Sequence, residues 1–285
     1  MMRKLIAILL LALILTATVL PVSADTGPKP SVNITFTNVT NSEFYVTLLS
    51  KYDSTGPWSS KDRYDNSDAG FFPKEIYEKL SGYQDSDGFY FLQYGEKYDG
   101  DFEWDYYPPS VFKLLLYFPE DDAFIASDIY ERYAFDSYYT FDIEEALSGR
   151  AVLTESYDYK SELIALFARI LITFVAELLL AALAFGYRGK RLFAMLAITN
   201  LITQLILNVA VNFRGFVGGR YDFIATFIIL EIIVFAIEAL IYRRFIPKLS
   251  EKPARSGVAV IYALSANALS LILGLYLSDI LPKLF

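Results

Sequence analysis

Four apolar runs fill the last 125 residues of this chain, at about 162–186, 191–213, 222–243 and 257–281, with short polar gaps between them. Crossing the hydrocarbon core of a bilayer as a helix takes roughly 20 apolar residues, and each run is long enough. The expected fold class is a membrane protein, with a soluble portion followed by a four-helix transmembrane bundle. Orientation follows from the basic residues. The gaps after the first and third runs hold Arg188, Lys190, Arg191, Arg243, Arg244, Lys248, Lys252 and Arg255, against Arg214, Arg220 and Lys283 on the opposite side. Eight against three places the first set in the cytoplasm and the C-terminus outside.

The N-terminus gives the same orientation. Arg3 and Lys4 precede an apolar run over 5–20, then Pro21 and Val22-Ser23-Ala24. A basic region, a short apolar region and a small-x-small end read as a secretory signal peptide over 1–24, cleaved after Ala24. The alternative is an uncleaved first span, for which 16 residues is short. On either reading Asp25 onward lies outside the cytoplasm.

Composition removes several chemistries. The chain has no cysteine and no histidine. That excludes Ser-His-Asp and Cys-His nucleophile systems, HExxH zinc sites, disulfides, thiolate metal sites and a thioether lipid anchor. No catalytic constellation is recognisable and no cofactor is expected.

Residues 25–160 form the exported domain. They carry 26 acidic and 11 basic side chains and 17 of the 22 tyrosines. Val32, Ile34 and Phe36 alternate with polar residues, as do Phe44, Val46 and Leu48. So do Phe112, Leu114, Leu116 and Phe118, and the set Tyr133, Phe135, Tyr139, Phe141 and Ile143. A period of two belongs to strands with one buried face. Turn chemistry at Gly56-Pro57, Asp85-Ser86-Asp87-Gly88, Pro108-Pro109 and Pro119-Glu120-Asp121-Asp122 separates them. The expectation is one antiparallel, sandwich-like β domain with a short helix over 73–80.

Three features of this domain invite a function. Asp85 and Asp87 form half of a calcium loop whose twelfth position is Glu96, but the intervening Phe89-Tyr90-Phe91-Leu92 reads as strand, so the two aspartates are weak metal candidates beside the plainer reading of an acidic turn. Tyrosines beside carboxylates would suit sugar recognition, although aromatic side chains in a small β domain commonly form core. The acidic surplus of this domain argues against nucleic acid or anionic lipid as its ligand, because phosphate binding needs basic patches. Asn33-Ile34-Thr35 and Asn38-Val39-Thr40 match a glycosylation acceptor.

The sharper signal lies in the apolar runs. The first contains Arg169 and Glu177. The second carries Asn200, Gln204, Asn208 and Asn212 at successive i+4 spacing, which is one polar stripe. The third holds Glu231 and Glu238, seven residues apart and on one face, and the fourth Ser265, Asn267 and Ser270. A charged side chain at the bilayer centre costs about 2.5–3.5 kcal/mol even on the lenient insertion scale. Three carboxyl groups and one arginine must therefore face each other or a wet cavity. Arg169 can neutralise one carboxylate, so the other two need a proton or a cation. Glu238 also lies close enough to the cytoplasmic end to reach toward Arg191 or Arg243. The plainer reading is polar glue, hydrogen bonds across helices worth about 0.6–2 kcal/mol each.

The stretch Tyr106-Tyr107-Pro108-Pro109-Ser110, Phe112-Lys113-Leu114, Tyr117-Phe118-Pro119-Glu120-Asp121-Asp122 and Asp128-Ile129-Tyr130-Glu131-Arg132-Tyr133 resembles a group of bacterial, Gram-positive-like membrane proteins with no assigned activity. So do Gly186-Tyr187-Arg188, Thr199-Asn200 with Gln204 and Asn208, Glu231 with Glu238 and Tyr242, and Ala266-Asn267 with Ser270 and Gly274. The group combines a signal peptide, an exported domain and four C-terminal helices, and the resemblance covers nearly the whole chain. It implies a bacterial plasma membrane, makes the glycosylation acceptors idle, and assigns no residue a catalytic role.

Two functions remain, from different classes. The first is a surface sensor or interaction protein whose exported domain binds a ligand or partner, and it is favoured because nearly half the chain is exported. The second is a small proton- or cation-coupled transporter or channel-like protein using the intramembrane carboxyls. An intramembrane hydrolase ranks last, since Asp222 and Asp279 lie at helix ends. The expected partners are the lipid bilayer and either another membrane protein or further copies of the chain.

Overall fold

A computed structural model describes residues 29–39, 43–62 and 72–280, with side chains described as far as residue 277. The signal-peptide segment, Lys283 and the Asp279 side chain lie outside the described residues. The chain divides into two compact units. Lys29–Asp158 with Phe216–Gly219 form the β unit, and Tyr159–Gly215 with the segment from Arg220 onward belong to the helical unit.

The β unit contains β1 (Ser31–Thr37), β2 (Tyr45–Ser50), β3 (Ser54–Gly56), β4 (Ser59–Ser60), helix α1 (Lys74–Gly82), β5 (Tyr90–Phe91), β6 (Glu96–Lys97) and β7 (Phe102–Trp104). There follow β8 (Val111–Phe118), β9 (Ala123–Ala126), β10 (Tyr130–Glu131), β11 (Asp136–Asp142), helix α2 (Ile143–Leu147) and β12 (Leu153–Glu155). One sheet has the order β12-β11-β1-β7. The other has the order β10-β8-β2-β5, with β9 paired to β8 and β6 to β2. Val32, Ile34, Phe36, Trp104, Tyr139 and Phe141 of the first sheet meet Val46, Leu48, Phe112, Leu114, Leu116 and Phe118 of the second in one core. The two sheets form the expected sandwich.

Three expectations are corrected. The sheets are not wholly antiparallel: β1 and β11 run parallel, in register from Ser31 beside Asp136 to Thr37 beside Asp142. A parallel pair needs a crossover, and here the whole second sheet lies between the two strands in sequence. Strands β2 and β8 are not buried on one face only. Tyr45, Leu49, Leu115 and Tyr117 pack in a second core with Phe72, Ile76 and Leu80 of the α1 region, so both strands sit between two apolar layers and lose the polar half of their pattern. The alternation around Tyr139 starts at Asp136 and stops at Asp142, whose side chain accepts a hydrogen bond from Glu145 N and caps α2.

Double burial explains the only lysine of β8. Lys113 is 6% exposed, and its Nζ donates to Asp85 Oδ1 at 2.7 Å and Asp87 Oδ2 at 2.8 Å. Asp85 Oδ2 accepts from Asp87 N and Phe89 N. The half calcium loop is thus closed by a cation from the chain itself. Burial pushes the Asp85 carboxyl up, but the Lys113 ammonium and the two N–H groups outweigh it and hold the carboxyl below its ordinary value. Burial pulls the Lys113 ammonium down, and the two carboxylates more than reverse that.

The helical unit contains α3 (Tyr159–Leu183), α4 (Lys190–Leu249) and α5 (Ser256–Ile280), three helices long and apolar enough to cross a membrane. As a straight rod the 60 residues of α4 would extend about 90 Å. Gly219 breaks the rod at φ 74°, ψ −166°, a conformation open almost only to glycine. The two arms turn back on each other. Thr203 Oγ1 donates to Glu238 Oε1 at 2.6 Å, although 35 residues of straight helix would part them by about 52 Å.

Replacing Lys113 by Met leaves the Asp85 side chain, 1% exposed, as a buried charge held by two N–H groups. We expect a loss of about 3–5 kcal/mol at pH 7, read by thermal unfolding in detergent, and a clearly smaller loss in Lys113→Met with Asp85→Asn. The depressed Asp85 carboxyl contributes stability above the unfolded carboxyl value, and wild type loses it as pH falls through the folded value. The double variant should lack that acid limb.

Candidate functional site

The helical unit has a broad apolar exterior: Leu163, Ile164, Phe167 and Leu171 of α3, Ile202, Ile206, Ile232 and Leu240 of α4, and Ile272 of α5 are exposed. Its interior holds two apolar clusters, around Leu192, Leu196, Tyr242 and Tyr262 and around Leu207, Val211 and Phe227. Buried beside them is a polar set: Arg169, Thr173 and Glu177 of α3; Asn200, Thr203, Gln204, Asn208, Glu231 and Glu238 of α4; Asn267 and Ser270 of α5. Spacing explains each row. Arg169, Thr173 and Glu177 follow at i+4, as do Asn200, Gln204 and Asn208, while Glu231 and Glu238 are two turns apart, so each row stays on one face.

The three carboxyl groups have different surroundings. Glu238 Oε1 accepts from Thr203 Oγ1, and its Oε2 accepts from Asn267 Nδ2 at 2.8 Å. Glu177 Oε2 accepts from Asn200 Nδ2, and Ser270 stands beside the same carboxyl. Ser270 Oγ in turn accepts from Gln204 Nε2 at 3.0 Å, and Gln204 Oε1 from Asn208 Nδ2 at 3.2 Å. A chain of hydrogen bonds thus runs from Asn208 to Glu177. Glu231 is 5% exposed and neither of its oxygens has a hydrogen-bond partner among the described residues. The carboxyls are close enough for Glu238 to act electrostatically on both Glu177 and Glu231.

Thr203 adds a second place for a proton. Its hydroxyl, with one proton, lies 2.6 Å from Glu238 Oε1, 3.1 Å from Thr199 O and 3.0 Å from Asn200 O. Either the hydroxyl donates to the carboxylate, or it keeps its bond to a helix carbonyl and the carboxyl supplies the proton. Passing from the first to the second takes one proton onto Glu238 and a rotation of the Thr203 hydroxyl.

The unmet capacity of the polar rows is mostly acceptor oxygen: both oxygens of Glu231 and Oδ1 of Asn200, Asn208 and Asn212. Buried acceptors of this kind call for a proton, a water or a cation. Among the described residues no three acidic side chains converge as one metal cluster, so a cation held here would rest largely on neutral oxygens.

The structure brings together Glu177, Asn200, Gln204, Asn208, Glu238, Asn267 and Ser270 as the spacing predicted. Two expectations are corrected. Arg169 pairs with none of Glu177, Glu231 and Glu238. Its guanidinium lies 5.5 Å from the centroid of the Phe223 ring, with Nε and Nη2 lacking acceptors among the described residues. The carboxylate that acts on it is Glu162, while eight helical residues part its backbone from that of Glu177 by about 12 Å. Glu238 does not reach for Arg191 or Arg243; it is 1% exposed and bonded inward.

Sequence reasoning passed over Thr203, Tyr242 and Tyr262. The first two sit at i+3 from Asn200 and i+4 from Glu238, a helical spacing that would have found them. Tyr262 has no such signal. Its OH donates to Glu177 O at 3.4 Å, and its ring lies 5.4 Å from both Tyr242 and Tyr187.

Comparisons with family models, with curated proteins and with solved structures found no match to this chain.

The unequal surroundings make a paired test. Glu238→Met removes two hydrogen bonds and leaves an Asn267 proton without its acceptor, so a loss of about 1–3 kcal/mol is expected. Glu231→Met removes none and replaces an unbonded polar group by an apolar one of similar length, so stability should hold or rise. Thermal unfolding in detergent compares the two, and an equal loss in both would mean that Glu231 has a structural partner.

Proposed function

We propose that the chain is an integral plasma-membrane protein with four spans, and that its helical unit takes up and releases a proton or a small monovalent cation at Glu231, as a small proton- or cation-coupled transporter or channel-like protein. Outward Leu, Ile and Phe with inward polar side chains support the membrane reading, since the same surface in water would be a very large apolar patch. The reversal at Gly219 divides α4 into two arms, each long enough to span.

Glu231 carries the functional half of the reading. Glue accounts for Glu177 and Glu238, whose oxygens accept bonds from neighbouring helices or arms. It does not account for a carboxyl that binds nothing, since an unsatisfied buried polar group costs about 1–3 kcal/mol with no structural return. A group kept at that cost, within electrostatic reach of a second carboxyl, has the chemistry of an exchange site. Four spans make a small transporter, and further copies of the chain are the expected partners.

The receptor reading keeps one observation of its own. In the β unit a cleft of about 360 Å³ is lined by Tyr77, Tyr83, Tyr90, Lys61, Gln84 and Gln93, with Lys61 Nζ 4.5 Å from the Tyr90 ring centroid. Aromatic faces beside amide groups suit a sugar or a short peptide.

Full-length protein in liposomes with a trapped pH-sensitive dye tests the proposal under imposed proton, Na⁺ and K⁺ gradients. Wild type should dissipate at least one gradient, and Glu231→Gln should fall to the level of protein-free vesicles with its thermal midpoint preserved. Unchanged flux in Glu231→Gln, or no flux in wild type above empty vesicles, would sink the reading.

A further inference from the structure

At the end of the helical unit where α3 stops and α5 starts there is a cavity of about 390 Å³ that the carboxyl site does not use. Its walls include Phe185, Tyr187, Ser250, Lys252, Arg255 and Val258. Lys252 and Arg255 are exposed and form no ion pair among the described residues, and no acidic residue lines the cavity. Glu251 is nearby but packs against Gly189. Tyr187 and Ser250 also line it, but their hydroxyl oxygens are themselves enclosed, the Tyr187 ring packing with Phe185 and Tyr262. Two cations on one cavity with no acidic wall give it a positive field that no ion pair among the described residues cancels.

The first turn of α5 adds to the field. Arg255 and Val258 flank it, and a helix start presents unpaired N–H groups with the positive end of its dipole. The walls are held in place. Gly186, at φ 64°, ends α3; Tyr187 N donates back to Ala181 O at 3.0 Å; and Arg188 Nη1 donates to Ala182 O and Tyr187 O, both at 2.8 Å. Glu251 N donates to Arg188 O at 3.3 Å and ties the two sides together.

We infer that this cavity binds a phosphate group, with Lys252 and Arg255 supplying charge and the first N–H groups of α5 supplying donors. The basic gaps place it on the cytoplasmic face of the proposed topology, where anionic phospholipid headgroups present a phosphate at the right depth. A free phosphate or phosphomonoester offers the same chemistry from solution.

The full-length protein in neutral detergent tests this by native mass spectrometry with short-chain phosphatidylglycerol or phosphatidylcholine, and by calorimetry with inorganic phosphate alone. Lys252→Gln with Arg255→Gln should weaken binding by at least about tenfold with an unchanged thermal midpoint. Retention of phosphatidylglycerol with no response to inorganic phosphate assigns a lipid, whereas binding of inorganic phosphate that the double variant loses assigns a soluble ligand. The inference is overturned if neither probe binds. It is equally overturned if the double variant binds like wild type, or if Arg244→Gln with Lys248→Gln, outside the cavity, weakens binding as much.

Discussion

A carboxyl group enclosed by apolar helices persists by pairing with a cation, by accepting hydrogen bonds, or by carrying a proton, and the helical unit depends on how these are distributed. Glu177 and Glu238 have the second solution. Their acceptor oxygens draw Asn200, Thr203 and Asn267 inward, and Ser270 and Gln204 extend the chain behind them. The packing of these helices therefore combines apolar clusters, built around Leu192, Leu196, Leu207 and Val211, with a network of oxygen acceptors. The reversal at Gly219 serves the same arrangement, since without it Thr203 and Glu238 would be far apart on one rod.

The β unit solves a related problem with the first solution. Strands β2 and β8 are covered on both faces, so a lysine in the middle of β8 has no water to reach. Lys113 persists because the turn 85–88 delivers Asp85 and Asp87 to its ammonium. A buried ion pair of this kind adds little net stability over an apolar replacement, but breaking one side of it is costly. It therefore fixes where that turn docks more than it strengthens the domain. In the helical unit Glu177, Glu231 and Glu238 have no such counter-ion among the described residues, because Arg169 stands two turns away from Glu177.

Legibility followed the range of the physics involved. The strands β1 and β11 and the polar stripe of α4 were readable because side-chain periodicity is local, and Val32, Ile34 and Phe36 lie inward as the alternation required. The parallel pairing of β1 with β11 was not readable, since it depends on partners more than a hundred residues apart. Nor was the second core. Leu115 and Tyr117 look like the wetter face of β8 until α1 covers them. In the candidate site the rows were legible and the pairings were not. Arg169 was the natural counter-ion by elimination, yet the rise of α3 keeps it from Glu177, and only a three-dimensional distance could show that. Thr203 was legible in principle, at helical spacing from Asn200, but a threonine in an apolar run carries no alarm.

The contrast among the three carboxyls bears on function more than the presence of any one of them. Glu177 and Glu238 are internal controls: same residue type, same apolar surroundings, and each tied to a neighbouring helix or arm by a side-chain donor. Had stability alone shaped this interior, Glu231 would share that pattern or would be a leucine, since the residues around it, such as Phe227 and Val234, show the space accepts apolar side chains. It does neither. A carboxyl without donors is best placed to change its proton or its cation without breaking a bond that holds the helices. The neighbouring Glu238 can also take up a proton while the Thr203 hydroxyl turns to a helix carbonyl, so that the contact between the two side chains is kept. Uptake at Glu231 would then alter the charge seen by Glu238, and through it the hydrogen bonds that join the two arms of α4 and α5. This is a physical route from occupancy of one buried group to the packing of three helical segments.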